Sequence, residues 1–182
     1  MHLAHFVSLL FIAVAAALDI VFKPTALLEV SFPQTCGPPI ALHAGIHVEV
    51  NDTVRPPSFG VLGDVGPGPF VVAMVDPDAP TSQNPTLSEL RHFLGGNFYN
   101  HRDHLVNATP AVSEFVQPAP PAGSDAHRYI FLLFKQLSAF AHQQLINAST
   151  SVLSFNISQF ASAVELGDPL AGTFMYVAPD SV

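Results

Sequence analysis

The apolar residues of this chain fall in short runs separated by Pro and Gly, a pattern that predicts strands joined by turns rather than long helices. The first run is different. Residues 6–18 form thirteen positions interrupted only by Ser8, too few to cross a bilayer as a helix, which needs about 20. The run matches the core of a secretory signal peptide, with Ala15 and Ala17 as the small residues three and one before a cut after Ala17. The chain is therefore expected to divide into a leader, 1–17, and a single domain, 18–182, on a secreted protein.

Within that domain, residues 26–32 alternate partly and read as a strand ending at Pro33. Residues 40–50 form a second β region, with Gly45 as a kink. Residues 56–69 read as a turn-rich connection. The unbroken run 70–75 predicts a central strand buried on both faces, stopped by Pro77 and Pro80. A further stretch, 90–98, is weakened by Gly95 and Gly96, and 127–135 is the strongest strand signal in the chain. Residues 137–146 are ambiguous, with a helix as one reading. Residues 154–166 predict a helix capped by Ser154 or Asn156, with Phe155, Ile157, Phe160, Ala161 and Val164 on its apolar face. A last strand covers 171–177. The sum is a mainly β domain with one or two peripheral helices.

Composition narrows the function. Charged residues make up 11% of the chain, against about 25% in ordinary globular proteins. The balance of 6 basic to 14 acidic residues, a net charge of −8, excludes the basic face that a nucleic-acid binder needs. Asn51, Asn107, Asn147 and Asn156 each open an N-glycosylation sequon, and Pro110 after the second is expected to lower its use. Glycans would add the polar surface that charged residues do not provide. Cys36 is the single cysteine, so no intrachain disulfide forms, and a buried, inert thiol is expected.

Chemistry-bearing residues cluster at strand ends. Asp76 and Asp78 follow the central strand, His92 sits in the next apolar stretch, and His127 and Tyr129 open the strongest strand after a proline-rich loop, 117–123. If these strands are neighbours, the five meet at one rim. A carboxylate beside a His fixes its tautomer and favours its charged form, so the group would make a small anion pocket in an acidic protein. Pro80, Pro120 and Pro121 would wall it rigidly. Competing readings are weaker. His43 and His47, or His101 and His104 with Asp103, have spacings that suit metal ligation, but strand and loop positions explain them. A zinc triad of Asp76, His92 and His127 is a minor reading. The chain has no G-x-S-x-G nucleophile elbow and no phosphate-cradling Gly-rich loop. Neither a metal nor a cofactor is expected.

These residues carry a resemblance. Asp76-Pro-Asp-Ala-Pro80, His92-Phe-Leu94, and Pro120-Pro121 followed through Gly123 by His127-Arg-Tyr129 resemble the three ordered motifs of the phosphatidylethanolamine-binding protein family, also described as the Raf-kinase-inhibitor-protein family. Weaker similarity extends over 24–32 and 167–174. The resemblance implies a PEBP-like fold: a central β-sheet packed against a smaller sheet, with peripheral helices. It implies a non-catalytic pocket for phosphate or a phospholipid head group, formed by Asp76, Asp78, Pro80, His92, Pro120, Pro121, His127 and Tyr129. In that pocket His92 and His127 would donate to the anion, Asp76 would orient them or partner a head-group amine, Asp78 would brace the loop and Tyr129 would be a wall. Peripheral membrane contact, or a peptidase or signalling protein as partner, would follow from the same likeness, with protease inhibition as the alternative function. There are departures from the family pattern. Asp125 stands where a Gly is usual two residues before His127, Gly95-Gly96 replaces a β-branched pair, and the C-terminal helix of animal members is not apparent.

Overall fold

The computed structural model describes residues 24–180; the leader expected over 1–17 lies outside them. Nine strands form one hydrogen-bonded sheet. In chain order these are β1 (Leu27–Phe32), β2 (Ile40–Ala41), β3 (Ile46–His47), β4 (Ser58–Leu62), β5 (Phe70–Asp76), β6 (Leu90–His101), β7 (His104–Asn107), β8 (His127–Lys135) and β9 (Ala171–Val177). Their spatial order is β2-β1-β4-β7-β6-β5-β8-β9-β3. The two ends approach each other, because the Thr25 and Ala26 N–H groups both donate to the Leu170 carbonyl at the entry to β9. The sheet is thus curled. The smaller layer, β1, β2 and β4, is continuous with the larger one through β7.

Strand β5 is buried at all seven positions, as its unbroken apolar run requires. Its two faces feed two cores. One contains Val72, Met74, Phe93, Tyr129 and Phe131, enclosed by the curl of the sheet with Phe32 and Phe59. The other contains Val71, Ala73, Val75, Leu94 and Ile130, covered by Phe140, Phe155 and Phe160. Two short helices, α1 (Ser138–Ala141) and α2 (Ile157–Ala163), carry Phe140 and Phe160, and Phe155 lies just before α2. Asn156 is the cap of α2, its side chain accepting from the Gln159 N–H, while Ser154 stands before the helix in a left-handed turn conformation at φ 54°. The predicted helix was longer, over 154–166. The ambiguous segment 137–146 yields only the single turn of α1.

Several expectations are corrected here. The connection 56–69 contains β4, whose Phe59 and Val61 reach the core; flanking prolines and glycines had hidden it. The 101–104 stretch is a tight hairpin between β6 and β7, in which Arg102 and Asp103 both take positive φ (53° and 68°). That geometry is usually signalled by Asn-Gly or Asp-Gly, which the sequence lacks here. Gly45 does mark a kink, at φ 82° between the two-residue strands β2 and β3. Cys36 is exposed rather than buried, because it falls in the polar turn after β1.

Gly95 and Gly96 do not weaken their strand. At twelve residues β6 is longer than any other strand among those described, and both glycines make room for aromatic packing. A Cβ on Gly96 would lie 2.4 Å from the Phe140 ring and 2.8 Å from Gln136 Oε1; one on Gly95 would lie 2.7 Å from Phe93. The strand bulges beside them, with two residues, Gly96 and Asn97, opposite Val71. Gln136 locks the bulge by accepting from the Asn97 N–H at 2.6 Å and donating to Asn97 Oδ1 at 2.8 Å. Gly96→Ala is therefore expected to destabilise the fold by about 1–3 kcal/mol through overpacking, read as a lower urea midpoint at unchanged m-value.

Candidate functional site

Strand pairing sets the site. β5 lies between β6 and β8, and all three are antiparallel neighbours. The end of β5 at Asp76 therefore meets the start of β8 at His127 and the early part of β6. Side chains alternate faces along a strand, which places His127 and Tyr129 on the same face of β8. On β6 alternation alone would separate His92 from Phe93, but a second bulge intervenes. The pairing steps from Met74↔Phe93 to Val75↔Arg91 and leaves His92 as the extra residue. The bulge turns His92 toward Tyr129, their rings meeting edge to face at 5.0 Å. Bulges commonly re-aim side chains in this way.

The four central side chains are deeply buried: Asp76 is 2% exposed, His92 3%, His127 1% and Tyr129 1%. A buried polar group needs a partner, and most of theirs are identifiable. Asp76 Oδ2 accepts from His127 Nδ1 at 2.8 Å, and Asp76 Oδ1 accepts from the Asp78 N–H at 2.7 Å. His92 Nδ1 donates to the Val116 carbonyl at 2.7 Å. A carboxylate and a carbonyl oxygen only accept, so the Nδ1 atom of each ring carries a proton. The Nε2 atoms of His92 and His127 are buried without a hydrogen-bond partner. Asp76 thus orients His127 alone. The orienter of His92 is a backbone carbonyl, a group that residue types do not reveal.

The two rings are electrostatically unlike. Burial pushes both toward neutrality. For His127 the Asp76 hydrogen bond and charge, joined by the charge of Asp78 and the nearby Pro80 carbonyl, outweigh burial and raise its pKa above the usual 6.5. For His92 burial prevails over the Val116 bond and the charge of Asp76, and its pKa falls below 6.5. A protonated His127 presents an N–H at Nε2. A neutral His92, already protonated on Nδ1, presents a lone pair there. With His127 protonated and His92 neutral, the pair would offer one donor and one acceptor. Burial, with the charge of Asp76, raises the Tyr129 phenol above its usual range, so Tyr129 stays neutral as a wall.

Asp78 joins the loop after β5 to the start of β8. It receives three hydrogen bonds from Arg128: the backbone N–H at 2.8 Å, Nε at 2.9 Å and Nη2 at 2.6 Å. Arg128 lay within the quoted motif without being recognised as this partner. Its signal was scarcity, since a buried aspartate in a chain with six basic residues needs one of them. Asp125 hydrogen-bonds Gln83 and so ties the loop after β5 to the loop before β8. Pro120 is buried and Pro80 partly buried, but Pro121 is exposed, its carbonyl accepting from Ser124 in a turn. Elsewhere, His43 and His47 are exposed on a sheet edge, with His47 stacked on Tyr176, and His101 and His104 face each other across the hairpin. Among the described residues no three metal-ligating side chains form a cluster.

Comparison with known proteins follows this geometry. Residues 51–175 match the family model described as phosphatidylethanolamine-binding protein. The chain is similar in fold to a carboxypeptidase Y inhibitor solved in complex with its cognate proteinase, with a TM-score of 0.68 and 21% identity over 87% of this chain and 86% of that one. It is also similar to phosphatidylethanolamine-binding proteins from Plasmodium vivax (TM-score 0.66, 16% identity, 87% of each chain) and Plasmodium falciparum (0.62, 17%, 86% of each). At these identities the likeness is one of fold.

The Asp76–His127 pair gives a pH-dependent contribution to stability. His127 is raised in the folded state, so this contribution is fully present below pH 6.5 and is lost as pH rises through the folded pKa. Asp76→Asn is expected to remove it. The stability difference between wild type and variant, measured by urea denaturation from pH 6 to 9, should shrink as pH rises. A pH-independent difference would refute this assignment of the proton.

Proposed function

The chain belongs to the phosphatidylethanolamine-binding protein family, whose members are typically binding proteins rather than catalysts, and from that premise we propose that it captures a phosphorylated ligand at the Asp76–His92–His127 site. The observation that carries this reading is the pair of buried, unpartnered Nε2 atoms. Orphaned buried polar atoms are rare in a folded protein, and here they are opposite in character. His127 suits a phosphate oxygen. Neutral His92 suits a proton donor on the same ligand, such as a P–O–H or an ethanolamine ammonium. Phosphate or the phosphorylated head group of a lipid meets both requirements, the latter through peripheral membrane contact.

The comparisons lend more weight to the alternative, control of a peptidase or signalling protein by protein–protein contact, because one similar fold is an inhibitor seen with its proteinase. On that reading the phospho-ligand site would be a secondary feature. Secretion and glycosylation are part of the proposal too. Asn51, Asn107, Asn147 and Asn156 are all exposed, which supports their use as acceptors, and no helix among the described residues is long and apolar enough to cross a membrane.

Calorimetry with phosphorylethanolamine separates the readings. Binding should weaken as pH is raised through the His127 pKa and fall at least tenfold in His127→Ala and His92→Ala. Wild-type affinity in both variants would remove the phospho-ligand reading. Inhibition of carboxypeptidase Y at micromolar protein, unaffected by those substitutions, would establish the alternative.

A further inference from the structure

The face of β6 opposite the site holds another orphaned group. Arg91, adjacent to His92 but on the other side of the bulge, is 1% exposed. Its Nη2 donates to the Thr150 carbonyl at 3.1 Å, and its guanidinium lies 5.1 Å from the centre of the Phe155 ring. Its Nε and Nη1 have no hydrogen-bond partner. Neither ion pair found among the described residues involves it. Glu89, two residues earlier and just before β6, is spent elsewhere: its carboxylate accepts from the Ile157 N–H at 2.8 Å and anchors the start of α2. A buried cation without a counter-charge is costly, and the Thr150 and Phe155 contacts leave Nε and Nη1 of this one unused.

Arg91 lines a cavity of about 420 Å³ between β6, the 145–156 segment and α2. That volume lies in the range of small-molecule sites. Leu145, Leu153, Phe155 and Phe160 give it an apolar wall, and Leu145 and Leu153 are 57% and 43% exposed at its edge. A mostly apolar pocket with one unpaired buried guanidinium has a defined complement. Guanidinium favours carboxylate and phosphate oxygens, and its donors are most effective when water is excluded.

We propose that this cavity is a second ligand site, for a small organic anion with an apolar body, whose carboxylate or phosphate meets Nε and Nη1 of Arg91 while its hydrocarbon lies on Leu145, Leu153, Phe155 and Phe160. The site is independent of the His127 site, from which the sheet separates it.

The test uses the whole protein and three probes of equal chain length: octanoate, octyl phosphate and octanol, followed by calorimetry and by amide shifts in α2. At least one anion should bind saturably at submillimolar concentration and at least tenfold more tightly than octanol; the tighter of the two identifies the head group. Arg91→Met should lower that affinity at least tenfold. Ala163→Trp, which fills the cavity from the exposed end of α2 without touching the buried charge, should do the same and keeps the test valid if Arg91→Met does not fold. Both folded variants should bind phosphorylethanolamine as wild type does. Failure of both anions to bind, octanol binding as tightly as the better anion, or a folded variant within threefold of wild type would each overturn the proposal.

Discussion

The hydrogen bond from His127 to Asp76 is the interaction on which the candidate site depends. It joins the end of a strand buried on both faces to the start of its neighbour, with both partners almost fully out of water. Burial alone would neutralise the imidazole. The carboxylate opposes this, raising the imidazole pKa, and fixes which nitrogen carries the proton, so the remaining nitrogen is aimed before any ligand arrives. Preorganisation of this kind reduces what a ligand loses on binding.

Holding a carboxylate there demands further structure. Asp76 Oδ1 is occupied by the Asp78 N–H, and Asp78 is itself fixed by three bonds from Arg128. Two of the few ionic side chains in this chain are therefore spent on keeping one short loop in place. This gives the low charge content a different meaning. The apolar excess follows from a strand buried on both faces and from two cores, one on each side of the sheet, and the charges that are buried sit where geometry must be exact in sense, at strand ends. Arg91 and Glu89 repeat the theme on the opposite face, where Glu89, its carboxyl raised to about 7 by burial, ties α2 to the sheet.

Much of this was legible in the amino-acid sequence, and the parts that were not share a cause. Strands β5, β8 and β9 could be read because their apolar runs are continuous and their stops are prolines or turns. Strands β4 and β7 were hidden because they are short, β4 between prolines and glycines and β7 behind a hairpin without an Asn-Gly or Asp-Gly turn. The site residues Asp76, His92 and His127 stood out through their motifs and through the strand ends they occupy. The bulge that turns His92 into the site, the Val116 carbonyl that sets its tautomer and the role of Gly96 beneath Phe140 were not legible. Each depends on backbone register or on a neighbour distant in sequence. Residue type identifies an imidazole, but its hydrogen-bond partner fixes which nitrogen carries the proton and so what the other nitrogen can offer.

The central claim is that the site shifts its two histidines in opposite directions, His127 upward and His92 downward. The most direct measurement is a titration of the ring nitrogens by NMR in the ligand-free protein. The account predicts that His127 titrates above 6.5 and His92 below it, each neutral ring carrying its proton on Nδ1. A His127 that titrates at or below 6.5, or a His92 that protonates first, would contradict it.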